Sequence, residues 1–221
     1  MKAREVNIEL RDVSLTGHMY IPEYPSGIVI VARGKNCSEY RNRHAQLFSL
    51  LAGENMGVLF SYLLDPPDEQ DYDNPFDIEL MTNRLMQITS WVLSHAPFKD
   101  IPVGYFAVNT AAAASLQAMA TMNSQAIAAV CLAGRPDLSR DILPSLTGAA
   151  LLITAAEDIY ITELNRQAAS LLTCEKRHIV LEGSPASFDD LPQSAKIAKL
   201  AADWFSYHLS NAMVPQLTDT W

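Results

Sequence analysis

The residues best spaced for chemistry lie at Ala107-Val-Asn-Thr-Ala111. A small-x-X-x-small pattern between a strand-like run and an Ala-rich run is the outline of a nucleophile elbow. Such a turn is strained and lifts its central side chain above a sheet. The central residue is Asn109. Asn accepts positive φ several-fold better than most residues, so it suits the turn. Its amide, however, has no proton whose removal gives a useful nucleophile. The pattern predicts elbow geometry without elbow chemistry. Two other side chains could attack instead. Thr110 brings a hydroxyl, although at a helix start it equally suits a cap or a neighbour contact. Cys37 follows a strand-like run beside Arg33 and Lys35; cationic neighbours lower a thiol pKa, whereas a buried free Cys is inert.

A nucleophile needs a base, and the five histidines are His18, His44, His95, His178 and His208. Only His44 falls where it could approach the elbow, and a surface helical position is its alternative reading. The acidic stretch from Asp65 to Asp77 matches no calcium-loop spacing and reads as a solvated loop rather than a metal site. Cys37, Cys131 and Cys174 form no CxxC pair, which leaves neither a disulfide framework nor a zinc site and fits a reduced, cytoplasmic protein. No cofactor is expected. A net charge of -9 argues against nucleic-acid and anionic-membrane partners. The N-terminus lacks an apolar leader, and no run reaches the length of a membrane span.

The elements that must position these residues follow from hydrophobic periodicity. Val6–Leu10 and Ser14–Ile21 read as a hairpin, and Gly27–Ala32 as a strand buried on both faces. Tyr40–Glu54 and Phe76–Ser94 read as helices flanking a strand at Val58–Leu63. Pro102–Ala107 is the strand that feeds the elbow, and a helix begins near Thr110. Strands at Ala126–Leu132, Ala149–Thr154 and Arg177–Leu181 alternate with a short helix after Gly134 and helices at Ile161–Leu172 and Leu191–Leu209. Such alternation implies a mostly parallel sheet with helices on both faces. At 221 residues the chain is expected to form a single α/β domain over 1–210, with a tail at 211–221, as a monomer or homodimer.

In element order, and in the stretches Val29–Gly34, Arg41-Asn-Arg43, Phe76-Asp-Ile78, Pro102–Phe106, Ala111–Ala114, Gly134–Leu138, Leu164-Asn-Arg166 and Trp204-Phe205, the chain resembles α/β hydrolases without a large lid. The resemblance is narrowest to the small dienelactone-hydrolase-like group, some of whose members are fused to phosphoribosyltransferase domains. It implies a Ser nucleophile, an Asp acid and a His base, and these fall on Asn109, Asp158 and Ala186. The base loop, Gly183–Phe188, holds no His. The oxyanion strand end reads Arg33-Gly-Lys-Asn-Cys37. Loss of a triad Ser or His typically costs on the order of 10⁶ in turnover, so the expectation is a catalytically degenerate protein. Its old pocket would bind a small anionic molecule through Arg33, Lys35, Asn36, Arg43, Thr110, Arg135 and the elbow helix N-terminus. Arg43, Arg135 and Arg166 have a second reading as structural partners of Asp137, Asp158 or carbonyls. The alternative function is an active esterase or lactonase using Cys37 or Thr110. A third is an enzyme that polarises a carbonyl with Asn109, Arg33 and Lys35.

Overall fold

The computed structural model describes residues 3–34, 45–65, 68, 76–95, 98–184 and 191–212. Its strands are β1 (Arg4–Glu9), β2 (Ser14–Tyr20), β3 (Ile28–Arg33), β4 (Gly57–Tyr62), β5 (Val103–Val108), β6 (Ala126–Leu132), β7 (Ala149–Ala155) and β8 (Glu175–Leu181). They form one sheet in the order β1-β2-β4-β3-β5-β6-β7-β8. The β1–β2 and β2–β4 pairs are antiparallel, and all others are parallel. The helices are α1 (Ala45–Gly53), α2 (Ile78–Leu93), α3 (Thr110–Met122), α4 (Ile159–Leu171) and α5 (Leu191–Ala212), with a 3-10 segment at Pro136–Ser145. The expected mostly parallel sheet with an N-terminal antiparallel hairpin is therefore the observed one.

The continuous apolar run of β3 has a direct cause. Ile28, Ile30 and Ala32 face a core built from the hairpin, α2 and α3, whereas Val29 and Val31 face a second core under α1 and α5. With both faces covered, the strand has no polar side to show. At the edge, β8 starts at Glu175, two residues before the expected boundary, because its charged residues there are exposed and break the apolar pattern. Helix α5 runs on to Ala212, two residues into the expected tail, and 213–221 lie outside the described residues.

Among the described residues two arginines, Arg33 and Arg84, are buried inside this frame. Arg84 on α2 is only 5% exposed. Its Nε donates to Asp12 at 2.9 Å and its Nη1 to the Leu63 carbonyl at 2.8 Å and to Asp68. Burial would raise the Asp68 carboxyl, but Arg84 and the Asp65 N–H together hold it below its ordinary value. Arg84 thus ties the hairpin turn and the end of β4 to α2, and Asp68, from the acidic stretch, is one of its partners. Helix periodicity conceals such a residue, since it marks an apolar stripe and not the one cation set into it.

Candidate functional site

At the carboxyl end of β5 the chain turns into α3 on a single residue. Asn109 has φ 56° and ψ −127°, a region that costs a non-glycine residue strain and persists only when its surroundings over-determine it. Three backbone hydrogen bonds do so. Asn109 N donates to the Leu132 carbonyl at 3.2 Å, and the Asn109 carbonyl accepts from Ala112 N and Arg135 N, each at 3.2 Å. The small residues of the motif are required by packing. Ala107 is registered between Ala32 and Cys131 in the sheet, and Ala111 and Ala112 are fully buried. A Cβ on Gly134 would lie 2.6 Å from the Ala112 Cβ. Asn109 is itself exposed and its side chain makes no capping hydrogen bond. The amide is therefore not consumed in satisfying the turn.

Around it three elements converge. A point one Cβ out from Gly34, just past β3, lies 3.9 Å from Thr110 Oγ1 and 3.5 Å from Met81 Sδ. The end of β3, the start of α3 and the buried side of α2 thus share one wall. The Thr110 and Ala111 N–H groups, the first of α3, have no intrahelical acceptor and lie at the positive end of its dipole. Arg33 is buried at 8% exposure, and its carbonyl accepts from Leu63 N at 2.7 Å. Lys35, Asn36, Cys37, Arg43, His44 and Ala186 lie outside the described residues.

Asp158 follows β7 as expected, and the side chain caps α4, accepting from Ile161 N at 3.1 Å. Its loop is knitted to the one after β8, with Ala156 N on the Leu181 carbonyl at 2.8 Å and Glu157 N on the Gly183 carbonyl at 3.1 Å. None of the described histidines pairs with Asp158. His178 Nε2 meets Thr154 Oγ1 at 3.0 Å, His95 Nδ1 meets the Trp91 carbonyl at 2.6 Å, and His208 Nε2 stands 3.7 Å from Glu175. Burial lowers the pKa of both His178 and His208. The buried Cys131 thiol is pushed up to about 12, which leaves it protonated and inert.

Of the expected cations, Arg135 is bidentate to Asp137, at 2.9 and 2.8 Å, with its Cζ 6.0 Å from the Tyr160 ring centroid. Arg166 pairs with Glu163 on the surface. Asp137 is a partner that the structural reading named for these arginines, whereas Glu163 is not. Met81, Tyr160 and Asn165 were not anticipated near the elbow. The Leu164-Asn-Arg166 stretch did carry a signal, but the residue that reaches inward is Asn165, whose Nδ2 donates to the Gly134 carbonyl at 2.9 Å. Among the described residues no cluster of His, Cys, Asp and Glu is arranged to hold a metal ion, and no helix is long and apolar enough to cross a membrane.

No family model matches the chain. In two strains of Mycobacterium tuberculosis, proteins named "Putative phosphoribosyl transferase" are 35% identical over 209 residues, covering 95% of this chain and 47% of theirs. The chain thus spans about half the length of the curated relatives it matches. Among solved structures, a dienelactone hydrolase from Anabaena variabilis superposes with a TM-score of 0.86 at 29% identity, over 95% of this chain and 100% of that one. The esterase domain of a Rhodothermus marinus protein superposes with a TM-score of 0.76 at 12% identity, over 95% and 100% of the two chains, which speaks to the fold alone.

Proposed function

The chain has the α/β-hydrolase fold in its dienelactone-hydrolase-like form, and from that premise we propose a catalytically degenerate module that binds a small anionic molecule at the former catalytic pocket. The observation that carries the proposal is the Asn109 amide, raised on a strained elbow, exposed, and bonded to nothing in the turn. Its NH₂ and the Thr110 and Ala111 N–H groups at the start of α3 would be the donors, and a carboxylate or phosphoryl oxygen is the acceptor that suits them. Lys35, Arg33 and Arg43 would supply charge, with Asn36 and Thr110 as polar contacts. Arg135, already matched by Asp137, would act as wall and through Tyr160. Asp158 keeps the acid's place but serves as a helix cap.

The degenerate reading rests on the chemistry of two positions. Without a nucleophile at 109 or a base at 186, oxyanion-type stabilisation alone leaves about 10³–10⁴ over water. The name borne by the M. tuberculosis relatives makes phosphoribosyl compounds the first ligands to try, and a phosphoribosyltransferase domain the first partner.

Two assays test this. In a panel of p-nitrophenyl esters the natural chain should show no turnover above buffer, and Asn109→Ser with Ala186→His should gain it. Turnover by the natural chain that disappears in Cys37→Ala or Thr110→Ala would establish the active esterase reading instead. In thermal-shift screening with phosphates, carboxylates and nucleotides, a ligand at 100 times its Kd should stabilise by about 2.7 kcal/mol. That response should vanish in Asn109→Ala. A panel with no stabilising anion would overturn the binding proposal.

A further inference from the structure

Asn165 on α4 is fully buried. Its Nδ2 donates to the Gly134 carbonyl at 2.9 Å and to the Ile161 carbonyl at 2.8 Å, and its Oδ1 is buried with no partner. The Gly134 carbonyl and the Arg135 N–H are the two ends of one planar peptide unit. That same N–H donates to the Asn109 carbonyl at 3.2 Å. A single rigid plane therefore joins a side chain on α4 to the backbone of the elbow. Rotating the plane away from Asn165 would also withdraw the N–H from Asn109. The site asks for donors and leaves the acceptor unused, at a cost in stability that an apolar side chain would avoid. Asp would set a carboxylate against two carbonyl oxygens and break both contacts.

We propose that Asn165 is a positioning residue for the elbow, which it holds at positive φ through the Gly134–Arg135 peptide. The proposal does not depend on which ligand the elbow binds, so it can fail separately from the binding proposal. It is tested by urea unfolding of Asn165→Ala in the natural chain and in one carrying Asn109→Gly. If Asn165 maintains the strain, removing it lets the natural elbow relax and recover part of the loss, whereas glycine has no strain to recover. Asn165→Ala should then lower the folding constant by a factor more than about two smaller in the natural background than in the glycine background. Penalties equal within about twofold, or larger in the natural background, overturn the proposal. The same cycle with Asn123→Gly, at the other end of α3, should show no coupling; equal coupling there would also overturn it. If Asn165→Ala does not fold, Asn165→Ser is read by the same criterion.

Discussion

Replacing Asn109 by glycine should stabilise the protein while abolishing whatever the elbow binds. A non-glycine residue held at φ 56° and ψ −127° carries about 1–3 kcal/mol of backbone strain. Glycine adopts the conformation freely, but gives the unfolded chain extra freedom worth about 0.4–1 kcal/mol. The Asn109 side chain is exposed and makes no capping bond, so little else is lost. The balance is a gain of roughly 0.5–2 kcal/mol. For a chain of this size each kcal/mol moves the midpoint by about 2–4 °C, so an increase of roughly 1–8 °C is expected by calorimetry, with a matching rise in the urea midpoint. Asn123 is an internal comparison. It has φ 44° and ψ −103°, but its Oδ1 accepts from Thr147 Oγ1 at 2.6 Å. Asn123→Gly forfeits that bond, worth about 0.5–1.5 kcal/mol, and should gain less. A lower midpoint for Asn109→Gly than for the natural chain would refute the argument, since it would mean that the amide contributes more to the fold than its backbone costs.

Two further predictions follow from the charged groups. Arg84→Met should cost about 3–5 kcal/mol, because it leaves Asp68 and the Leu63 carbonyl without their buried donor; chemical denaturation measures it, and a loss below about 1 kcal/mol would show the clamp to be dispensable. The urea midpoint should fall between pH 7.5 and 5.5. His178 and His208 are both depressed by burial from their ordinary 6.5, with Glu175 partly offsetting this at His208. The folded chain therefore takes up these protons later than the unfolded one. Their contribution is complete above 6.5 and is lost as the pH drops from there towards the folded values. His178→Gln should flatten the profile, and an unchanged slope would exclude His178 as a source.

The elbow shows how far residue type reaches. Asn109 between flanking alanines could be read from the chain because small residues, a positive-φ-tolerant centre and an Ala-rich helix former are local requirements of one turn. The same holds for β3, whose unbroken apolar run announces burial on both faces. The role of Asn165 was not legible. Its partner is the carbonyl of Gly134, 31 positions away, brought near only by the packing of α4 against the loop after β6. Nor was the choice made by Arg135, which could have been read as a ligand cation or a structural partner until its guanidinium was seen bidentate to Asp137.

Taken by itself, the amino-acid order determined the alternation of strands and helices, the site of the sharp turn and the chemical identity of the group placed there. Those are properties of short windows, set by periodicity and by what each side chain permits its own backbone. Tertiary structure alone decided that the Asn109 amide makes no bond in its turn, that Asp158 caps a helix with no described histidine at hand, and that Arg84 is a buried clamp. Each of these depends on which polar group meets which across the fold, and hydrogen bonds of that kind join elements whose separation along the chain carries no record of their contact.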